Sequence, residues 1–379
     1  MLKILVHDWS GHPFQIALSR ELARRGFYVH HTYFIGVQGP KGPLERRPND
    51  PPNFVVTGRS IPQTYAKYNF VRRWFQERRY AREIAQFIRA ERPDVVISSN
   101  TPLDVQRAMA KATAAVGGTF VFWLQDIISV AMSTLLGKKY PVLGSAVAWH
   151  YRSIERSLLR HADHVVCICD DFSDVMRDWN VESGRCSVIE NWASREEISP
   201  LPKDNPWSRA HSLTKKTVLL YAGTLSIKHD PTALLQLAEE NAGSADFAVV
   251  VASEGPGADG LRAQAAERQM KEIIVLPFQP YDVLPQMLAS ADVLLGLIEA
   301  EAAQFSVPSK ILSYLAAGRA LILSAPLKSF AARLVTQAET GIVTAPGDRA
   351  GFLAAARSLA SDVELRNRYA VNARRYAEE

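Results

Sequence analysis

Residues 305–325 read FSVPSKILSYLAAGRALILSA and join a helix to a buried strand within one short stretch. Ser309 follows a proline and is typical of the residue that caps the N-terminus of a helix. Lys310 stands in the first turn, and Gly318 ends the helix before the apolar run at 320–324. The positive end of the helix dipole, with a lysine beside it, is a candidate binding site for a pyrophosphate group.

The same alternation of apolar strands and helices extends along the whole chain. Short runs rich in Val, Ile and Leu, without strict polar alternation, are typical of strands buried on both faces of a parallel sheet. The candidate strands are 2–6, 27–34, 53–56, 94–98, 118–124, 164–169, 186–189, 217–222, 247–252, 273–277, 292–298, 320–324 and 341–344. Helical segments between them, such as 14–25 and 231–240, suit βαβ crossovers.

This pattern predicts an α/β protein of two Rossmann-like domains in series, because 379 residues are too many for one ordinary core. The pattern restarts after a Pro-rich stretch, which is the best linker candidate. We expect an N-terminal domain over 1–195, a linker over 196–212 and a C-terminal domain over 213–361. A terminal helix over 362–379 is expected to pack back toward the N-terminal domain.

The composition is that of a soluble globular protein, with 47% hydrophobic and 22% charged residues. No apolar run approaches the roughly 18 residues that a membrane-spanning helix needs. The opening MLKILVHDW predicts a buried first strand rather than a signal peptide. The three cysteines, Cys167, Cys169 and Cys186, cannot form a disulfide framework and indicate a reduced, cytoplasmic setting.

Positive charge is concentrated in the first half of the chain. Residues 1–190 hold 25 Lys and Arg against 18 Asp and Glu, whereas the remainder holds 19 against 21. The surplus predicts an anionic partner for this half, such as the headgroups of a membrane that the protein contacts peripherally. No nucleic-acid recognition motif accompanies it. Residues 68–90 predict a helix that is either core-facing or, with aromatic and basic residues interleaved, membrane-surface-bound.

Two further loops of the second half carry candidate anion-binding residues. Gly223 forms a turn after the strand 217–222, and Lys228 and His229 stand just before the next helix. Main-chain N–H groups at that helix start, with Lys228 beside them, can face a diphosphate. The alternative is an ordinary turn with a solvated lysine. Glu254 lies in a later glycine turn, where the alternative to binding is that it only braces the turn.

The order and spacing of YAGTLSIKHD (221–230), ASEGPGADGLR (252–262) and SVPSKILSYLAAG (306–318) resemble the C-terminal domain of the family-four retaining glycosyltransferases. These enzymes have the GT-B fold, and the most similar branch builds bacterial surface polysaccharides such as colanic acid and O-antigen. The resemblance covers nearly the whole chain, because 151–202 resembles the family's end-of-domain segment and 362–379 its terminal helix.

The resemblance implies two parallel sheets that face each other across an interdomain cleft. It also implies sugar transfer, with retention, from a nucleotide-diphosphate sugar to a saccharide or polyprenyl-linked acceptor, without cofactor or metal. Lys228 is the expected catalytic residue in the second half, where it would steady the leaving diphosphate. The expected donor-binding residues are Gly223, Thr224, Lys228, His229, Glu254, Gly255, Ser309, Lys310 and Ser313.

Two of these residues depart from the family's pattern. Thr224 stands where many members have an arginine, and Ser313 stands where many have the second of two glutamates that grip the ribose hydroxyls. Serine offers one oxygen in place of a carboxylate. The identity of the nucleotide is therefore left open.

The expected acceptor site lies in the first half. Gly11 and His12 occupy the loop after the first strand, and Asn100 follows the strand 94–98. Gln125 and Asp126 come at the carboxyl end of the strand 118–124, the edge where open α/β sheets bind ligands. Asp126 is a candidate catalytic residue that accepts a proton or orients the sugar. The alternative is that it caps the following helix.

Two other functions are compatible with these residues. One is a sugar-nucleotide epimerase with the same two-domain architecture, which needs no acceptor. The other is a non-catalytic partner subunit, which the altered Thr224 and Ser313 allow.

Overall fold

A computed structural model describes residues 1–37, 42–66, 69–139, 141–195, 197–225, 231–299 and 309–379. The chain divides into two compact units, the first over Met1–Asn191 and the second beginning at Trp192. Each unit has its own parallel sheet, with helices between most of the successive strands. This confirms the prediction of an α/β protein with two Rossmann-like halves.

The first unit contains seven strands and six α-helices among its described residues. They are β1 (Lys3–Asp8), α1 (Pro13–Arg24), β2 (Tyr28–Phe34), β3 (Phe54–Arg59), α2 (Phe70–Glu91), β4 (Val95–Ser99), α3 (Leu103–Ala115), β5 (Thr119–Leu124), α4 (Ile128–Lys139), α5 (Pro141–His161), β6 (His164–Cys167), α6 (Asp171–Asp178) and β7 (Cys186–Val188). The strands are all parallel, in the order β3-β2-β1-β4-β5-β6-β7. The order reverses between β1 and β4, which makes that point the expected ligand crevice.

The second unit repeats this plan with six strands in the part that the structure describes. Its elements are α7 (Pro206–Ala210), β8 (Thr217–Ala222), α8 (Thr232–Glu240), β9 (Phe247–Ala252), α9 (Pro256–Glu267), β10 (Ile273–Leu276), α10 (Leu284–Ala289), β11 (Val293–Leu297), α11 (Ser309–Ala316), β12 (Ala320–Ser324), α12 (Phe330–Gln337), β13 (Gly341–Thr344), α13 (Arg349–Ser361) and α14 (Val363–Glu378). The sheet order is β10-β9-β8-β11-β12-β13, again parallel, and it reverses between β8 and β11.

The central strands of the second sheet were predictable because their side chains are buried on both faces. Every residue of β9 is buried, and so is every residue of β11. Helices cover the second sheet through two apolar clusters, one on each face, which bury residues such as Leu220 and Leu219. Alternate residues of a strand point to opposite faces, so a sheet covered on both sides requires a continuous apolar run.

The predicted linker over 196–212 stays a prediction, but part of this stretch packs into the second unit. Trp207 of α7 is buried in the core of the second unit, together with Ile198 and Leu213. Asn205 caps α7 by accepting the N–H of Ser208 at 3.0 Å, and the Ser208 hydroxyl accepts the N–H of Asn205. The prolines of this stretch therefore shape a packed segment of the second unit.

The terminal helix α14 packs against α11 and β12 of the second unit. Ala373 is fully buried there, and the Arg374 guanidinium donates to the main-chain oxygen of Ala316 at 2.9 Å. Its predicted packing toward the N-terminal domain stays a prediction. Among the described residues, no helix combines the length and the apolar character needed to cross a membrane.

Candidate functional site

Lys310 links the start of α11 to the end of β8. Its Nζ donates a hydrogen bond to the Tyr221 hydroxyl at 2.8 Å and lies 4.3 Å from the centre of the Tyr221 ring. The Tyr221 hydroxyl in turn donates to the main-chain oxygen of Thr224 at 2.9 Å. Because α11 follows β11, which pairs with β8, this chain of bonds spans the carboxyl edge at the switch point of the second sheet.

Gly223 lies directly beside the lysine. Its φ is +136°, a conformation that residues with a side chain rarely adopt. A Cβ built on Gly223 would come within 3.0 Å of Lys310 Nζ and 3.1 Å of Lys310 Cε. The glycine therefore leaves the space that the lysine side chain occupies.

Burial lowers the pKa of Lys310 to about 8 from its ordinary 10.5, because desolvation disfavours the ammonium form. In the described part of the chain this lysine forms no ion pair with a carboxylate. A half-buried cation without a counter-ion gains from an anion that binds beside it.

Two side chains that we did not identify from the sequence hold this loop in place. The Tyr314 hydroxyl of α11 donates to the main-chain oxygen of Ala222 and accepts the Ala222 N–H, both at 2.9 Å. The Ser253 hydroxyl accepts the N–H of Leu225 at 2.9 Å. In the sequence, Ser253 is only a polar residue at the end of an apolar strand, and Tyr314 is only a polar residue within an apolar helix. Their role becomes clear once the fold brings both to the Gly223 loop.

The next loop of the second unit contains Glu254 and Gly255. Glu254 accepts the N–H of Phe278 at 3.2 Å, so its carboxylate braces the turn after β10. Gly255 has a φ of +105° and immediately precedes α9. The N–H of Gly257, in the first turn of α9, donates to the main-chain oxygen of Leu225 at 3.2 Å. This contact joins the Glu254 loop to the Gly223 loop.

Only some of the remaining predicted donor-binding residues lie in the part of the chain that the structure describes. Ser309 is the exposed first residue of α11, and Ser313 is half-buried one turn later, on the side of the helix shared with Lys310. Lys228 and His229 lie outside the described residues. The structure thus joins Gly223, Thr224 and Lys310 directly.

The predicted acceptor residues of the first unit centre on Asp126. It follows β5 and precedes α4, and it is half-buried. The first N–H groups of α4, those of Ile128 and Ser129, each donate to one carboxylate oxygen of Glu155 at 2.9 Å. Glu155 comes from the middle of α5 and is completely buried.

Glu155 and Asp126 interact electrostatically. The pKa of Glu155 is raised to about 7: burial raises it most, hydrogen bonds from Ser129 and Ile128 lower it, and the charge of Asp126 raises it. The segment that carries Asp126 is therefore fixed by a carboxyl group that titrates near neutral pH. Sequence analysis missed Glu155 because it lies 27 residues from the helix start that it binds.

Gln125 is buried and forms a reciprocal amide pair with Asn191. Gln125 Nε2 donates to Asn191 Oδ1 at 3.1 Å, and Asn191 Nδ2 donates to Gln125 Oε1 at 2.6 Å. This pair secures the last residue of the first unit to the end of β5. The acceptor-binding role of Gln125 stays a prediction.

The other predicted acceptor residues lie near the switch point between β1 and β4. Gly11 and Asn100 both have positive φ, at +79° and +51°. Gln15 joins the two strand ends when its amide nitrogen faces Asp8: it then donates to Asp8 Oδ2 at 2.6 Å, and its oxygen accepts from Asn100 Nδ2 at 3.3 Å. His12 precedes α1, and burial lowers its pKa to about 4, so it is neutral at physiological pH.

Among the residues that the structure describes, no group of three or more His, Cys, Asp or Glu side chains is arranged to hold a metal ion. Cys167, Cys169 and Cys186 are free thiols, and the first two are buried.

Comparison with known families assigns a domain to each unit. Residues 16–192 match the glycosyl transferase 4-like domain, and residues 204–376 match the glycosyl transferases group 1 family. A curated relative is the Escherichia coli K12 protein WcaI, assigned to glycosyl transfer in colanic acid biosynthesis. It is 24% identical over 237 residues, which cover 62% of this chain and 58% of WcaI. The match thus spans less than two thirds of that relative.

Solved structures with the same fold cover the whole chain. HepE from Anabaena, in complex with UDP and glucose, has a TM-score of 0.71 at 16% identity, covering 100% of this chain and 95% of HepE. Sucrose-phosphate synthase from Thermosynechococcus elongatus has a TM-score of 0.73 at 14% identity, covering 100% of this chain and 94% of the synthase. At such identities the likeness shows the GT-B fold.

The titration of Glu155 predicts a pH-dependent stability. Its folded-state pKa of about 7 exceeds the ordinary value of 4.5, so its stabilising contribution is complete below about pH 4.5 and is lost as the pH rises through 7. Relative to Glu155→Gln, the wild-type protein should lose up to about 3 kcal/mol of unfolding free energy over that range, at about 1.4 kcal/mol per pKa unit. Urea denaturation at a series of pH values measures this difference.

The matched control is Glu182→Gln, which removes an exposed glutamate of the same unit. Its stability should follow the wild-type pH dependence. If Glu155→Gln also follows the wild-type curve, Glu155 does not titrate in this range.

Proposed function

Because the chain belongs to the family-four glycosyltransferases of the GT-B fold, we propose that it transfers a sugar from a nucleoside diphosphate sugar to a saccharide acceptor. We further propose that the transfer retains the anomeric configuration, needs no metal and moves a hexosyl or N-acetylhexosaminyl group.

The observation that carries this proposal is the position of Lys310. A half-buried ammonium group lies at the carboxyl edge of the second sheet, at the switch point, with Gly223 leaving room beside it. A diphosphate gains negative charge as the sugar leaves, and a cation already fixed in place stabilises that charge without reorganising. HepE, which shares the fold, was solved with UDP and with UDP-glucose, and this supports a nucleoside diphosphate donor.

Lys228 is proposed to act with Lys310 on the same diphosphate. Thr224 is held through its main-chain oxygen by Tyr221, so its hydroxyl remains available to a phosphate oxygen. Ser313 is proposed to bond a ribose hydroxyl from the neighbouring turn of α11. These assignments rest on the resemblance together with the placement of Gly223 and Lys310.

On the acceptor side, we propose that Asp126 orients the reacting sugar or accepts the proton of the acceptor hydroxyl, with Gly11, His12, Asn100 and Gln125 around the acceptor. The relation to WcaI supports a role in bacterial surface polysaccharide synthesis. We propose that the acceptor is linked to a polyprenyl lipid and that the protein acts at the inner face of the cytoplasmic membrane.

Transfer itself is tested by nucleotide release. The protein should release a nucleoside diphosphate from one of the UDP-, GDP-, dTDP- or ADP-sugars only when a lipid-linked acceptor is present, and chelation of divalent metal should leave the rate unchanged. Lys228→Ala should abolish turnover. Conversion of the donor without acceptor would identify an epimerase, and failure to bind any of these donors would identify a non-catalytic partner.

Replacing Lys310 with Met is expected to weaken donor binding by about 10- to 100-fold, because a hydrogen bond to a charged group contributes about 1.5–3 kcal/mol. A thermal-shift titration with the donor that stabilises the wild-type protein measures the loss.

Wild-type affinity should also fall as the pH rises through about 8, where Lys310 loses its proton, and Lys310→Arg should not show that fall.

The matched control is Lys328→Met, which removes an exposed lysine of the same unit. It should keep the wild-type affinity. A Lys310→Met protein that binds donor as tightly as the wild type would contradict the assignment.

Substitution of Gly223 by Ala tests the space beside the lysine. The new Cβ strains a backbone with positive φ and displaces the Lys310 ammonium group, so donor affinity should fall about tenfold or more. Gly243→Ala is the control, because Gly243 also has positive φ, +82°, but has no atom within 4 Å of a Cβ built on it. Both variants should lose stability, and only Gly223→Ala should lose affinity. If Gly223→Ala binds the donor as tightly as Gly243→Ala does, Gly223 is needed only for the backbone conformation of its turn.

A further inference from the structure

The helix α2 has two halves with opposite surroundings. Its second half faces the core, where Tyr80, Ile84 and Ile88 are almost completely buried. Its first turns instead expose large apolar side chains, with 58% of Phe70 and 63% of Phe75 open to solvent. The sequence left open whether 68–90 is a core-facing or a membrane-surface helix. The second half of α2 faces the core, and its first half presents an exposed aromatic surface.

Arginines are interleaved with these aromatic residues. From Phe70 to Arg82 the helix carries five arginines and a single glutamate. Arg72 and Arg78 are exposed, and the Arg78 guanidinium lies 4.6 Å from the centre of the Trp74 ring. A helix at a membrane interface typically combines two kinds of side chain: aromatic rings that enter the boundary of the acyl chains, and guanidinium groups that lie at the level of the phosphates.

A second set of exposed apolar residues lies on α5. Val142, Leu143 and Trp149 are more than 70% exposed. In the same unit, α2 packs against α3 and α3 packs against α5. Tyr151 of α5 donates to Asp104 of α3 at 2.8 Å and interacts electrostatically with Arg73 of α2.

The exposed starts of α2 and α5 thus lie on the two sides of α3. We propose that the exposed residues of these two helices form a docking surface for an anionic phospholipid bilayer. We call it the α2–α5 surface. It consists of Phe70, Val71, Arg72, Trp74, Phe75 and Arg78 of α2 and Val142, Leu143, Val147 and Trp149 of α5.

A bilayer fits this surface better than a protein partner does. A protein would have to bury the rings together with exposed arginines, and each guanidinium would then need its own acceptor. The bilayer interface supplies phosphate oxygens and an apolar layer at adjacent depths, and each basic residue near an anionic surface contributes about 1 kcal/mol.

The α2–α5 surface also lies close to the proposed acceptor site. Helices that follow parallel strands begin at the carboxyl edge of the sheet, so the first turns of α2, after β3, and of α4, after β5, lie at the same edge. Asp126 stands at that edge. A bilayer on this surface would present a lipid-linked acceptor to it, and this last step rests on the proposed function.

Cosedimentation with vesicles tests the surface directly. The full chain should bind vesicles of phosphatidylcholine mixed with phosphatidylglycerol, should bind pure phosphatidylcholine much less, and should be released near 1 M salt, where the screening length is about 3 Å. The double variant Arg72→Gln, Arg78→Gln should lower binding about tenfold or more, since each charge contributes about 1 kcal/mol. Phe70→Ser with Phe75→Ser should lower binding to both kinds of vesicle.

Two control variants change the same chemistry on the second unit. Val363→Ser with Val371→Ser removes exposed apolar side chains, and Lys215→Gln with Lys271→Gln removes exposed charges. Both should bind vesicles as the wild type does.

Equal binding by all variants, or no binding of the wild type to anionic vesicles, would overturn the proposal. So would vesicle-free self-association that Phe70→Ser with Phe75→Ser abolishes, since that would make the surface a protein interface. Donor binding in the thermal-shift assay needs no vesicles, so a failure here leaves the test of Lys310 independent.

Discussion

A parallel sheet covered by helices on both faces leaves its strands few places to present polar side chains. Central strands such as β1, β9 and β11 are buried along almost their whole length, so the side chains that can meet a ligand collect where the strands end. The polar networks follow this constraint, with Gly223, Tyr221 and Lys310 at one carboxyl edge and Asp8, Gln15 and Asn100 at the other. Two different sequences thus build comparable sites, because the topology decides where chemistry is possible.

The same constraint explains what could be predicted from the sequence. The thirteen strands among the described residues were located to within about three residues at each end, because burial on both faces requires a continuous apolar run in the sequence. Contacts between residues that are distant in the sequence produce no comparable pattern. Glu155 binds a helix start 27 residues away, and Tyr221 meets Lys310 across 89 residues. Only the fold shows that the two members of each pair come together.

Net charge and local charge point to different places in this protein. The surplus of basic residues lies in the first half, yet Lys310, the cation that we propose binds the diphosphate, belongs to the half with an acidic balance. Overall charge acts over a distance and favours an anionic surface, whereas a phosphate site needs one cation held in position. The fixed position of Lys310 comes from burial, Gly223 and the Tyr221 hydroxyl, none of which enters a count of charges.

The length of α2 gives the first unit its exposed aromatic surface. A helix of 22 residues is about 33 Å long, whereas strands of five or six residues cover roughly 17–20 Å. The helix must therefore extend well past the sheet. Its buried residues run from Glu77 to Ile88, so the excess lies at the N-terminal end. That end follows β3 and projects from the carboxyl edge, so the rings and arginines of α2 extend beyond the edge at which Asp126 stands.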